Sequence, residues 1–97
     1  MNPTIITSAT YDIDIGYNLF LIDCTANDVD IYLPEMLYNN IDLTIKRIDT
    51  STNLCNLHVN QIDSTPVDNS VSIIVIDNYE LIQIISCDNK WWILNRI

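Results

Sequence analysis

Residues 81–94 read Leu-Ile-Gln-Ile-Ile-Ser-Cys-Asp-Asn-Lys-Trp-Trp-Ile-Leu, so two apolar segments flank the dipeptide Asp88-Asn89. β-branched and aromatic side chains suit a pleated strand better than a helix. Asn tolerates the positive φ that a two-residue hairpin turn requires. This stretch therefore predicts two antiparallel strands joined by a tight turn, and Asp77-Asn78 predicts a second turn of the same kind.

The rest of the chain repeats this organisation. Ile, Val and Thr make up about a third of the 97 residues, and their branched Cβ atoms disfavour helix. Short apolar or alternating segments follow one another at a spacing of roughly ten residues, with turns rich in Asn and Asp between them. Residues 35–40 are the one place where a helical turn is expected. The pattern predicts one all-β domain over residues 1–97, a small antiparallel β-sandwich or jelly-roll-like domain of eight or nine short strands.

Charge excludes several classes of partner. Thirteen acidic residues against four basic ones give a net charge of −9, which repels nucleic-acid phosphates and anionic lipid surfaces. No apolar run approaches the roughly 20 residues that span a bilayer. Residues 1–4 show neither the basic nor the apolar region of a signal peptide. We expect no nucleic-acid partner and no membrane insertion.

Few side chains are arranged for catalysis. Gly16 is the only glycine, so a nucleophile elbow, a phosphate-binding loop and a dinucleotide-binding loop are all excluded. His58 fits a hydrogen-bonded surface residue, with a three-His site on a threefold axis as the alternative. Asp12-Ile13-Asp14 and Asp28-Val29-Asp30 fit solvated strand faces, with Ca²⁺ binding or acid–base catalysis as alternatives. We expect no enzymatic activity, no metal and no cofactor.

The remaining reactive and basic residues also favour structural roles. Cys24, Cys55 and Cys87 are widely spaced and lie in apolar segments, which predicts buried free thiols. A single intrachain disulfide or a reactive thiol is the alternative. Of the doublet Lys46-Arg47, one side chain is expected to point outward and pair with nearby acids. The pair Trp91-Trp92 is expected to place one indole on each side of a strand, as core and interface anchors, with a sugar-stacking platform as the alternative.

Four segments are apolar on both strand faces: Leu19–Ile22, Ile73–Ile76, Leu81–Ile85 and Trp91–Leu94. A single sandwich has only one interior, and large exposed apolar patches are rare on soluble monomers. The pattern therefore predicts self-association into a closed symmetric oligomer, unless twist or a long loop covers the second face. The residues that we predict at the interface are Leu19, Leu21, Ile74, Ile76, Ile82, Ile84, Trp92 and Leu94.

Short motifs follow one another in order along residues 29–97. They are Ile31-Tyr32-Leu33-Pro34, Ile45-Lys46-Arg47-Ile48-Asp49, Ser51-Thr52-Asn53-Leu54, Ile62-Asp63, and Asp88-Asn89-Lys90-Trp91-Trp92-Ile93-Leu94. This set resembles the small trimeric head domains at the tips of phage and other viral fibres and spikes. That family has glycine in its turns where this chain has Asn39-Asn40, Ser64 and Asn89. Residues 1–28 match it only as generic strands.

The resemblance implies a non-enzymatic viral structural protein. Such a head would form a homotrimer, cap a fibre or spike at the virion surface after synthesis in the host cytoplasm, and attach to a host-surface glycan or protein. The composition, rich in Ile and Asn, fits an A+T-rich genome such as that of a giant virus or virophage. A stand-alone carbohydrate-binding β-sandwich module is the alternative function.

Overall fold

Strands alone form the regular structure of residues 4–97. The computed structural model describes residues 4–97. Residues 1–3, which are most of the segment in which the sequence shows no signal-peptide features, lie outside the described residues. The nine strands are β1 (Thr4–Ile6), β2 (Thr10–Asp12), β3 (Leu19–Ile22), β4 (Val29–Tyr32), β5 (Asp42–Arg47), β6 (Cys55–His58), β7 (Ile73–Val75), β8 (Leu81–Cys87) and β9 (Lys90–Arg96).

The strands form two mixed sheets, in the orders β1-β3-β5-β8-β9 and β2-β4-β6-β7. The first six strands alternate between the sheets, and within each sheet they pair in parallel. Only the pairs β5-β8, β6-β7 and β8-β9 are antiparallel. The all-β prediction is confirmed, whereas the prediction of antiparallel sheets is wrong for the first six strands. Each connection among them crosses to the other sheet instead of turning back, so the chain returns to a sheet in its original direction.

Residues 35–40 contain no helical turn. The backbone N–H of Met36 donates to the carboxylate of Asp63 at 2.6 Å, and that of Asn40 donates to the Ser86 carbonyl at 2.6 Å. These donors are thus engaged by distant parts of the chain. The segment is a loop that runs along the end of β8.

The turn between β8 and β9 has the predicted form. Asp88 and Asn89 have φ values of 56° and 57°, which is the geometry of a type I′ hairpin turn. In the turn from Asp77 to Glu80 the positive φ, 61°, lies at Tyr79 and not at Asn78. The Asn78 amide instead donates to the Asp49 carbonyl at 2.9 Å.

Seven described residues other than glycine adopt the left-handed backbone that favours glycine. The φ values include 64° at Asn40, 53° at Ser64 and 57° at Asn89. Asn adopts this conformation more readily than most residues, so its use at Asn40, Asn69 and Asn89 lowers the cost of these turns.

Both sheets direct one face into a single core. Phe20, Ile22 and Ile45 from the five-stranded sheet and Ile31 and Leu57 from the other are at most 1% exposed. The radius of gyration is 12.4 Å, which matches the roughly 12.5 Å expected of a compact chain of this length. The arrangement is sandwich-like. Within residues 4–97 no helix is long and apolar enough to cross a membrane.

A buried ion pair fixes the connection from β5 to β6. The Arg47 guanidinium donates to both oxygens of Asp49, at 3.0 and 3.1 Å, and also to the carbonyls of Ile76 and Asn53. Asp49 in turn accepts the hydroxyl of Ser51 at 2.6 Å. The member of the doublet Lys46-Arg47 that pairs with an acid is therefore the inward Arg47 and not the outward Lys46.

Candidate functional site

The outer side of the five-stranded sheet carries many apolar side chains. Strand alternation and register place eight apolar side chains there, which we call the apolar outer face: Ile5, Leu19, Leu21, Leu81, Ile85, Trp92, Leu94 and Ile97. Ile5 pairs with Leu21 across β1 and β3, and Ile85 pairs with Trp92 across β8 and β9. The apolar side chains are thus neighbours on one surface.

Two features bring the end of β9 onto this face. A one-residue bulge between β8 and β9 inserts Leu94, because Gln83 pairs with Asn95 while Ile84 pairs with Ile93. Beyond β9, Ile97 exchanges two 2.9 Å backbone hydrogen bonds with Leu81. The chain end therefore extends the apolar surface.

Two long polar side chains of the apolar outer face already have partners. Gln83 donates to the carboxylate of Asp42 at 3.3 Å, and the Lys46 ammonium donates to the Tyr79 carbonyl. The charged residues of the face are Asp42, Lys46 and Lys90, which pairs with Cys87 in the ladder, so this face is not acidic although the whole chain carries −9. Few charged groups would leave water when this face is covered, which keeps the cost of covering it low.

Several of these side chains remain in water. Ile5 is 63% exposed, Leu94 58% and Ile97 75%, and the others are half-buried. Burying one Ile or Leu side chain completely contributes about 1.5–3 kcal/mol. A surface of this kind has a strong tendency to be covered by another apolar surface.

The predicted interface residues separate into two groups. Leu19, Leu21, Trp92 and Leu94 lie on the apolar outer face. The other four face the core of the chain itself and are at most 4% exposed; they are Ile74, Ile76, Ile82 and Ile84. Their assignment to an interface is corrected, because the subunit already covers them and leaves no surface for a partner.

The opposite surface, on the four-stranded sheet, is polar over β2, β4 and β6. Asp30 accepts hydrogen bonds from Asn56 at 3.2 Å and lies 2.8 Å from Nε2 of His58. The hydrogen bond with His58 holds the pKa of Asp30 below its usual range, against the opposing effect of burial. The His58 ring also stacks on Tyr32 with centroids 4.6 Å apart. His58 is thus a hydrogen-bonded surface residue, as predicted.

The two Asp pairs serve different local roles. Asp28 accepts the backbone N–H of Leu54 at 2.8 Å, and Asp14 accepts that of Gly16 at 2.9 Å. Asp12 and Asp14 also line an open cavity of about 290 Å³ beside Glu35 and Asn60. Among residues 4–97 no three His, Cys, Asp or Glu side chains are grouped to hold a metal ion.

The tandem tryptophans lie on opposite sides of β9, as predicted. Trp91 is 1% exposed in the core, and its Nε1 has no hydrogen-bond partner among the described residues. Trp92 is half-buried on the apolar outer face, where its Nε1 donates to the Cys87 carbonyl at 3.0 Å. Of the three cysteines, Cys24 and Cys55 are buried free thiols, and Cys87 is exposed instead of buried.

Sequence reasoning missed the network around Arg47 and four members of the apolar outer face. The missed face residues are Ile5, Leu81, Ile85 and Ile97. The sequence did contain a signal for the network. Arg47 falls on the same strand face as Leu43 and Ile45, and an acidic residue, Asp49, follows two positions later. Searches of protein-family models and of curated proteins found no match to this chain.

Proposed function

We propose that this chain is a non-enzymatic viral structural protein, a jelly-roll-like fibre or spike head that forms a homotrimer and attaches the virion to its host. The observation that carries the proposal is the apolar outer face. It is a broad apolar surface with one acidic and two basic residues, on a chain that is otherwise strongly acidic. A second copy of the same face is an occupant that matches its apolar character.

The size of the face suits self-association. A stable interface takes roughly 800 Å² from each partner, which is about 15% of the 5335 Å² of accessible surface of this chain. The outer side of the five-stranded sheet and the loops at its ends are the surface that would supply this area. Association costs an estimated 4–15 kcal/mol, and covering several exposed Ile and Leu side chains offsets a cost of that size.

The trimeric state and the viral role are inferred from the resemblance to fibre-head domains. Two structural observations support it. The left-handed residues Asn40, Ser64 and Asn89 fall where the family has glycine. The motif residues Asp49 and Ser51 belong to one buried hydrogen-bonded network, so the similarity includes residues that hold the fold together.

The surfaces that stay open in such a trimer would contact the host. With the apolar outer face covered, the exposed part of each subunit is the acidic four-stranded sheet and the loops around it. A partner that binds there is neutral or basic, such as a glycan or a basic protein surface, because like charge opposes binding. The virion surface is the location that this role requires.

The molar mass of the full chain in solution tests the proposal. Sedimentation equilibrium or light scattering is expected to give about three times the 11.2 kDa of one chain. A mass near 11.2 kDa at micromolar concentration contradicts the proposal. Binding of that single chain to a glycan array would support the carbohydrate-binding module in its place.

A matched pair of variants locates the interface. Leu94→Asp places a charge on the apolar outer face, and the variant is expected to sediment as a single chain with little change in its unfolding temperature. Leu37→Asp is the control, because Leu37 is similarly exposed, 66% against 58%, but lies in the loop beyond β4. The control is expected to remain trimeric. Dissociation of both variants, or of neither, would show that the interface lies elsewhere.

A further inference from the structure

Two buried cysteines meet at the junction of the two sheets. Cys24 follows β3 of the five-stranded sheet, and Cys55 begins β6 of the four-stranded sheet. Both are fully buried in the same core, and each side chain is close enough to affect the pKa of the other. Two cysteines that are 31 positions apart in the chain therefore lie close together in the fold.

The backbone around Cys24 is held firmly against the segment that leads to Cys55. The Cys24 N–H donates to Asp49 at 3.0 Å. Its carbonyl accepts from the Ser51 hydroxyl at 3.1 Å and from the Asn53 amide at 2.7 Å. Cys55 itself pairs with Val29 in the parallel ladder of β4 and β6. Both partners of the thiol pair are thus positioned by contacts that do not involve sulfur.

We propose that Cys24 and Cys55 are a disulfide-forming pair that covalently joins the two sheets when the chain folds under oxidising conditions. The co-reactant is a small-molecule disulfide such as oxidised glutathione. The bond encloses residues 24–55, which contain β4, β5 and the network around Arg47. A cross-link over a loop of this length restricts the unfolded chain and so favours the folded one.

The reaction is a two-step thiol–disulfide exchange. The thiolate of one cysteine attacks the external disulfide, forms a mixed disulfide and releases one glutathione thiolate, which takes up a proton. The thiolate of the second cysteine then attacks the protein sulfur of the mixed disulfide and releases the second glutathione. Two cysteine thiols are oxidised, and one external disulfide is reduced to two thiols.

Burial determines when the reaction occurs. Desolvation raises the pKa of both thiols, although Arg47 partly opposes the effect, and a thiol that is not ionised is a poor nucleophile. The folded interior also excludes the oxidant. The bond is therefore expected to form during folding, before the core closes, and to form slowly once the chain is folded. The exposed Cys87 is expected to react with oxidants first.

The test is refolding of the full chain in an oxidising and in a reducing glutathione buffer. Cys87→Ser removes the exposed thiol and so prevents exchange with it. After oxidative refolding this variant is expected to have lost two hydrogen atoms in its intact mass and to retain no thiol that can be alkylated. Its proteolytic digest contains a peptide pair linked through Cys24 and Cys55. The unfolding temperature is expected to rise by about 5 °C or more relative to the reduced protein.

Controls separate this bond from other effects of the buffer. Cys24→Ala and Cys55→Ala, each combined with Cys87→Ser, are expected to show no mass loss and the same unfolding temperature in both buffers. The wild-type chain supplies a measurement without substitution, since its thiol count is expected to fall from three to one. Two alkylatable thiols in the refolded Cys87→Ser protein, or a bond that lowers the unfolding temperature, overturns the proposal. None of these readouts depends on the oligomeric state.

Discussion

Arg47 and Asp49 show how one buried ion pair holds a connection in place. The side chain of each is at most 5% exposed, and the guanidinium reaches the carbonyls of Ile76 and Asn53 as well as the carboxylate. Removing one member of such a pair leaves the other as an uncompensated buried charge. The pair is therefore more important for the geometry of the loop than a surface ion pair would be.

Asp49→Asn is expected to lower the free energy of unfolding by about 3–5 kcal/mol, because Arg47 then stays charged and buried without a carboxylate. Urea unfolding followed by tryptophan fluorescence measures the change. Asp12→Asn is the control, since Asp12 is exposed and makes no ion pair among the described residues. Its effect is expected to stay within about 0.5 kcal/mol. Equal effects of the two variants would contradict the role of the pair.

Acid is expected to unfold the protein through the same residue. The hydrogen bond with Arg47 holds the pKa of Asp49 far below its usual range, so the unfolded chain binds a proton at a pH where the folded chain does not. The stabilisation is complete above the ordinary carboxyl pKa of about 4 and is lost as the pH falls below it towards the folded-state value. Urea midpoints measured in this range are expected to fall less steeply for Asp49→Asn than for the wild type.

Ser64 is an exposed left-handed residue at which glycine is expected to be stabilising. A non-glycine residue at φ 53° is sterically disfavoured, and Ser tolerates this region less well than Asn. Ser64→Gly is expected to raise the free energy of unfolding by about 0.5–1 kcal/mol. Ser70→Gly is the control, because Ser70 is exposed and does not have a positive φ; flexibility added there is expected to be destabilising. Thermal unfolding of the two variants distinguishes the outcomes.

At the scale of the strand, β8 shows what the sequence can and cannot predict. Its position and its turn into β9 follow from the sequence, because apolar runs and an Asp-Asn dipeptide are local signals. The inward set of side chains does not follow, since Leu81, Ile82, Ile84 and Ile85 make both faces apolar. The alternation of side chains along the strand then defines two sets of residues, one for each face of the sheet, but it does not say which set faces the core. This ambiguity placed Ile82 and Ile84 at an interface.

The two faces of β8 are expected to respond differently to truncation. Ile84 is fully buried, so Ile84→Ala leaves a cavity and is expected to lower the free energy of unfolding by about 2–5 kcal/mol. Ile85 lies on the apolar outer face, so Ile85→Ala is expected to weaken association more than it weakens folding. Unfolding in urea and sedimentation of both variants measure the two effects. Loss of assembly without loss of stability for Ile84→Ala would reverse the assignment of the faces.

Strand direction was the least predictable property of the fold. Alternation identifies a strand but does not say whether its neighbour is parallel. The connections 13–18 and 23–28 lack the short Asx-Gly signature of a hairpin, and both cross between the sheets. Where a true hairpin signal existed, at Asp88-Asn89, the antiparallel prediction was correct. The error in strand direction is thus confined to connections without a local turn signal, where packing between the two sheets determines the direction of the next strand.

At the scale of the whole molecule, charge and apolar surface are separated. The chain carries −9, yet the apolar outer face holds one acidic residue against two basic ones, Asp42 against Lys46 and Lys90. The acidic residues that make copies of the chain repel one another therefore lie mostly on its other surfaces. The sequence indicated both the acidity and the excess of apolar strand segments, but only the register of the sheet shows that the two occupy different surfaces.

Assembly is consequently expected to tighten as salt is added. Raising NaCl from about 20 mM to about 200 mM shortens the Debye length to less than 10 Å and screens repulsion between acidic subunits. The dissociation constant from sedimentation is expected to fall in this range, because the interface itself contains little charge. An interface made of ion pairs would weaken under the same change. Glu35→Gln, which removes an exposed charge in the loop beyond β4, is expected to tighten assembly most at the lowest salt, and its failure to do so would show that net repulsion does not limit the assembly.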